Sequence, residues 1–149
     1  MRARDLAWPC TCVRLDTTLR EAAEVLVQER APALVVVSED GHPLAAVPAR
    51  RILLAALPEP VREDPLLAAV VDDSLDDTVR ARTEALRLAD VLPKRPDALT
   101  VVSPEASPLH MATLMERTGS CVVLVVEYEE GQPRVLGTVD AATLLQHYL

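Results

Sequence analysis

The chain has 149 residues, half of them apolar, and carries 23 acidic against 15 basic side chains for a formal net charge of −8. That balance argues against a nucleic-acid backbone as partner, and no apolar run approaches the roughly 18 residues that span a bilayer. With no Phe and 2% aromatics, the core must be built from Val, Leu and Ala.

The opening "MRARDLAWPCTCV" lacks the apolar stretch of a secretory signal, so the chain reads as cytoplasmic. Cys10, Cys12 and Cys121 make an odd set that matches no disulfide framework. Cys10-Thr-Cys12 with His42 or His110 does not complete a zinc site, and no metal is expected. Cys121 opens "CVVLVV" and reads as a buried strand residue.

Read in order, the elements repeat. "RARDL" (2–6) returns as "RLADVL" (87–92), and "LDTTLREAAEVL" (15–26) as "ASPLHMATLM" (106–115). "APALVVV" (31–37) returns as "SCVVLVV" (120–126), and "PLAAVPARRILL" (43–54) as "RVLGTVDAATLL" (134–145). Same order at similar spacing means a tandem repeat.

Each copy predicts a short strand (Cys12–Leu15; Thr100–Val102) and then a helix opening on hydroxyls or proline. A continuous apolar run follows, as expected of a strand buried on both faces. A turn at Gly41 or Gly131 leads to a second strand (Leu44–Val47; Val135–Val139) and at once to a last helix (Ala49–Leu57; Ala141–Tyr148). The expected class is α/β (α+β), two β-α-β-β-α units as a pseudo-two-fold pair.

Between the copies, Pro58, Pro60 and Pro65 should stop the preceding helix. Asp64 and Pro65 suit a new helix start, and Ser74 with Asp77 suits a capping box for another helix running to about Arg87. Leu66, Leu67, Val70, Val71, Leu75, Val79 and Leu86 then form apolar stripes. The expected organisation is repeat 1 over 1–57, a helical insertion over 58–87 and repeat 2 over 88–149.

The duplicated grammar, carried by "TTLREAA", "PALVVVSEDGHPLAAVPARRIL" and "LGTVDAATLL", resembles a pair of cystathionine-β-synthase (CBS) domains, a Bateman module. The resemblance implies two copies packed through their sheets into a disc with two clefts that take an adenosine-containing ligand. Its class would be AMP, ADP, ATP or S-adenosylmethionine. It also implies that the adenine slots are lined by residues opening the first strand and the strand after the first helix. These are Thr11, Cys12, Val13, Ala31, Pro32 and Ala33 in copy one, and Thr100, Val101, Ser120 and Cys121 in copy two.

The family's strand-to-helix turn reads Gly-apolar-apolar-Thr/Ser-x-x-Asp, its hydroxyl meeting phosphate and its aspartate the ribose. Here copy one offers Ala45, Val47, Pro48, Arg50 and Arg51, with Pro48 at the hydroxyl position and Arg51 at the aspartate position. Copy two offers Gly137, Val139, Asp140 and Thr143, with Asp140 and Thr143 at those two positions. Neither copy keeps the ribose-binding carboxylate.

Arg50 and Arg51 would reinforce a helix start that already favours anions, whereas Asp140 would repel phosphate and cap its own helix. Phosphates are therefore expected in the first cleft, with the base near Thr11–Val13 and Ala31–Ala33. Two functions remain: a regulatory sensor that modulates a separate enzyme or membrane transporter, or a degenerate pair that only dimerises or docks. His42, His110 and His147 stand beside no plausible nucleophile, so catalysis is not expected. Apolar helices such as "RRILLAALPE" and "TLLQHYL" imply a homodimer.

Overall fold

The computed structural model describes residues 1–70, 73–93 and 99–149. Two three-stranded sheets form its frame. In the first, the central strand β2 (Ala33–Val37) pairs parallel with β1 (Cys12–Val13) and antiparallel with β3 (Pro43–Pro48). In the second, the central β5 (Val122–Glu129) stands in the same relation to β4 (Val101–Val102) and β6 (Gln132–Asp140). Even the irregularities match, with a register shift at Val36/Val37 in one copy and at Val125/Val126 in the other. The tandem repeat and the mixed α+β class are therefore as the sequence predicts.

Both central strands are buried on both faces, and strict alternation assigns each side chain its side. Ala33 and Val35 meet Val122, Leu124 and Val126 in a seam between the sheets. Leu34 and Val36 face α2 (Leu19–Glu29) and α3 (Ala49–Ala56), while Val123 and Val125 face α8 (Pro108–Thr118) and α9 (Ala141–Tyr148). Helices thus cover the outer face of each sheet.

The helix starts follow local chemistry. Thr18 caps α2 by accepting from the Glu21 N–H at 3.1 Å, and Ser107 caps α8 by accepting from His110 N–H at 3.2 Å. Both helices end on a left-handed residue, Arg30 and Gly119.

The leading turns cross over. α1 (Ala3–Leu6) packs Ala3 and Leu6 into the second core beside Met111, Val139 and Leu144. Its amides at Ala3 and Arg4 donate to Ala106 and Pro104 carbonyls, each at 2.9 Å. Its counterpart α7 (Leu88–Val91) does the reverse, burying Leu88 in the first core, with Leu88 and Ala89 amides on Thr17 and Leu15 carbonyls. Each copy's opening turn completes the other copy's core.

Between the copies run α4 (Glu59–Glu63), α5 (Pro65–Val70) and α6 (Ser74–Ala85). Pro60 sits in the first turn of α4 rather than breaking a helix, since an N-terminal turn needs no N–H there. Asp64 accepts from Leu66 N–H at 3.2 Å as expected, but Asp73, not Ser74, takes the cap position of α6 and makes no side-chain cap. The helix also ends at Ala85, short of Arg87.

The apolar stripe is only partly buried. Leu66 is 77% exposed, Leu75, Val79 and Leu86 are half-buried, and Val71 lies outside the described residues. Polar ties also hold α6: the Arg82 guanidinium donates to the carbonyls of Ala56 and Ala55 at 3.2 and 3.1 Å, and Arg20 bridges Glu84 at the surface.

Because Leu88 is fully buried in a core whose other buried members all come from copy one, Leu88→Ala should destabilise the whole chain by about 2–5 kcal/mol. Urea unfolding followed by circular dichroism measures it. A cost below about 1 kcal/mol would mean that the crossover is dispensable.

Candidate functional site

A cleft of about 300 Å³ opens where the end of β3 and the start of α3 meet the second copy, at the lower end of the roughly 300–1,000 Å³ usual for small-molecule sites. Ala45, Ala46, Val47, Pro48 and Arg51 form one wall. Leu92, Pro93, Leu99, Thr100 and the run Thr118–Cys121 form the other. Of the expected site residues it gathers Val47, Pro48, Arg51, Thr100, Ser120 and Cys121. Arg51 thus faces residues of copy two rather than Thr11–Val13 and Ala31–Ala33 of its own copy. Packing the two sheets through one seam sets the strand-to-helix turn of one copy against the strand openings of the other.

Hydroxyls line this second wall. Thr100 Oγ1, buried, donates to Thr118 Oγ1 at 2.9 Å, and Thr118 Oγ1 donates in turn to the Leu114 carbonyl at 2.8 Å. Ser120 Oγ donates to the Val122 carbonyl at 2.7 Å. Cys121 is exposed and stands just before β5 rather than inside it, which corrects the buried strand position expected for it. Partial desolvation, aided by the charge of Asp140, still raises its thiol pKa.

The remaining expected residues lie elsewhere. Thr11 gives both its N–H and its hydroxyl to Glu29 Oε1. Cys12 and Val13 pair with Val35 and Val36 in the sheet, and Val101 pairs with Leu124. Ala31 is half-buried beside the first core, the Pro32 carbonyl accepts from Ala49 N–H at 3.1 Å, and Ala33 lies in the seam. Val139 is buried in the second core. Cys10 and Cys12 share a hydrogen bond that pushes the Cys10 thiol up and the Cys12 thiol down. Among the described residues, no three Cys, His, Asp or Glu side chains are placed to hold a metal.

The corresponding turn of copy two has a different surface. Asp140 caps α9, its Oδ1 accepting from Thr143 N–H at 2.8 Å and from Thr143 Oγ1 at 2.9 Å. The N-terminal strap lies across this turn: Trp8 and Thr138 exchange backbone hydrogen bonds at 2.9 and 3.0 Å, and the Trp8 indole N–H donates to Thr143 Oγ1 at 3.2 Å. Gly137 permits the approach, because a Cβ there would lie 2.2 Å from the Trp8 carbonyl oxygen.

In copy one, the same positions are Ala45, which carries that Cβ, and Pro93, which has no N–H to close such a bridge. The first turn thus fronts an open cleft while the second lies beneath the strap. The signal was present in the repeat, in the exchange of Trp8 for Pro93 and of Gly137 for Ala45. It becomes readable only once the crossover of the leading turns is known.

Two matched β-α-β-β-α modules joined sheet to sheet, with a cleft between them, define a paired-module α+β fold. A model of the CBS domain matches residues 3–57. A CBS domain-containing protein from Kribbella flavida is 32% identical over 99% of this chain and 98% of that one, with a TM-score of 0.81. The CBS domain of a membrane protein from Sphaerobacter thermophilus is 24% identical over 98% of this chain and 86% of that one, with a TM-score of 0.68. CBSX2, a CBS-pair protein of Arabidopsis thaliana, shares the fold in its complex with AMP at 17% identity. That match covers 99% of this chain and 95% of that one, with a TM-score of 0.64. No curated protein matches. The chain belongs to the CBS-domain family, and its two modules form a CBS pair. Among the described residues no helix is long and apolar enough to cross a membrane.

The contact at Gly137 yields a test. Gly137→Ala should cost about 1–3 kcal/mol, since the strap must shift to admit the methyl group, whereas Ala45→Gly should cost about 1 kcal/mol or less. Thermal unfolding of both variants measures the difference; equal costs would show that the strap does not press on β6.

Proposed function

We propose that this CBS pair is a regulatory module that binds an adenosine-containing ligand in its first cleft and modulates a separate partner protein. The observation that carries this reading is the composition of the cleft. Apolar walls at Ala45–Pro48 and Leu99 suit a base, the hydroxyls of Thr100, Thr118 and Ser120 suit a sugar, and Arg51 suits a phosphate. The AMP-bound CBSX2 supports the ligand class, which spans AMP, ADP, ATP and S-adenosylmethionine.

On this reading the residues that matter are those facing the first cleft, and the second turn serves structure. The chain divides into repeat 1 (1–57), an insertion (58–87) and repeat 2 (88–149), with the leading turns exchanged. The module has no catalytic role and acts in the cytoplasm on an enzyme or a transporter. It works as a homodimer, since Leu53, Leu109, Leu145 and Tyr148 are between 58% and 69% exposed on α3, α8 and α9.

The second reading, a pair that only dimerises or docks, draws on Arg51 and Thr143 standing where the family keeps its ribose-binding aspartate. Thermal denaturation separates the two. A ligand at one hundred times its Kd stabilises by about 2.7 kcal/mol, so AMP should raise Tm clearly. Arg51→Ala should weaken AMP about tenfold and leave adenosine nearly unchanged. A Tm unmoved by AMP, ADP, ATP and S-adenosylmethionine would favour the docking module. Sedimentation near 16 kDa at micromolar concentration, the mass of one chain, would rule out the dimer.

A further inference from the structure

Cys10 and Cys12 take no part in the first cleft, yet the fold holds them as a pair. Thr11 between them turns outward, giving its N–H to Glu29 Oε1 at 2.9 Å and its hydroxyl to the same oxygen. Alternation along an extended segment sends the two flanking side chains the other way, and both pack against the seam between the sheets. There the two half-buried thiols lie within hydrogen-bond reach of each other. Cys121, the third cysteine, is an exposed thiol just before β5.

Two steps of extended chain span at most roughly 7 Å, the outer limit for the Cα atoms of a disulfide, which stand about 4.4–6.8 Å apart. Closing this pair therefore shortens the segment at Thr11. That pulls against the Thr11–Glu29 hydrogen bond and against the pairing of Cys12 with Val35 at the edge of the first sheet. β1 has only two residues with which to resist. Strained disulfides are the readily reduced, regulatory kind. The Cys10 S–H donates to Cys12 and so favours the Cys12 thiolate, the form that attacks an oxidant, against the opposing charge of Glu29.

We propose that Cys10 and Cys12 are a redox-active dithiol, closed to a disulfide by hydrogen peroxide and reopened by a dithiol reductant. The Cys12 thiolate attacks one peroxide oxygen and becomes a sulfenic acid. The O–O bond breaks, and the other oxygen leaves as hydroxide that takes up the proton Cys12 gave up. The Cys10 sulfur then attacks the sulfenic sulfur, the S–S bond forms, and a second water leaves with the Cys10 proton. Two thiols lose two electrons and two hydrogens, and one peroxide becomes two waters. The bridge buckles the chain between Trp8 and β1, so oxidation reaches the strap over the turn of copy two. None of this depends on what the first cleft binds.

The test treats the full, reduced chain with an equimolar amount of hydrogen peroxide, alkylates the remaining thiols and maps the peptides by mass. Of the three cysteines free before oxidation, Cys10 and Cys12 should be lost together, joined in one peptide lighter by two hydrogens, while Cys121 is still alkylated. Dithiothreitol should restore all three. The emission of Trp8, the single tryptophan, should shift on oxidation and return on reduction. In Cys10→Ser, Cys12 should stop at a sulfenic acid that dimedone traps. Circular dichroism checks that variant's fold, and if it does not fold the thiol count of the parent decides alone. Cys10 and Cys12 alkylated as fully as Cys121 after peroxide, or a bridge from either to Cys121, overturns the dithiol. A folded Cys10→Ser chain without dimedone on Cys12 overturns Cys12 as the attacking sulfur. A bridge that leaves the Trp8 emission unchanged overturns its reach to the strap.

Discussion

Everything in this molecule hangs on the seam where Ala33 and Val35 meet Val122, Leu124 and Val126. The central strands are apolar on both sides because one side must bury helices and the other must bury the opposite sheet. Small and β-branched side chains let the sheets approach closely, and a chain without Phe can fill that space without rings. The seam also fixes what lies at its ends. Once the sheets are set face to face, the strand-to-helix turn of one copy must look at the strand openings of the other, and a cleft results.

The crossover of α1 and α7 locks that arrangement. Neither core is complete within one repeat, because Leu88 closes the first and Ala3 with Leu6 closes the second. The two copies therefore depend on each other for their cores. A ligand bound between the copies, as proposed above, would report itself through the relative placement of the two halves, since an equilibrium shifts only by the ligand's differential affinity for the states it joins.

Much of this was legible in the sequence. The apolar runs at 31–37 and 120–126 announced doubly buried strands, the hydroxyls at Thr18 and Ser107 announced helix starts, and the repeat announced two equivalent halves. What stayed hidden was long-range. The insertion's apolar stripe promised burial, yet Leu66 on α5 stands exposed, while the half-buried Leu75 and Val79 and the hydrogen bonds from Arg82 fasten α6. Cys121 took the pattern of the strand it precedes, because boundaries are where periodicity carries least information. The membership of the cleft was concealed for the same reason: no local pattern tells which copy's Thr–Ser run a given arginine will face.

The two strand-to-helix turns offer a comparison that the chain makes with itself. At the start of α9, Asp140 supplies the favourable solution, an acceptor for the first-turn amides and a negative charge at the positive end of the helix. At the same place before α3 stands Pro48, which makes no side-chain cap, followed by Ala49, Arg50 and Arg51. A cation in a first turn opposes the helix dipole by about 0.3–1 kcal/mol, so the second arrangement is the poorer for a helix alone. Both turns sit on the same backbone design, so geometry does not force the difference. It coincides with which turn is open: Asp140 lies where the Trp8 strap covers the strand, and the arginines lie where Ala45 and Pro93 leave a cleft. The unfavourable charge stands at the cleft between the copies, and the favourable cap stands beside the Trp8 strap.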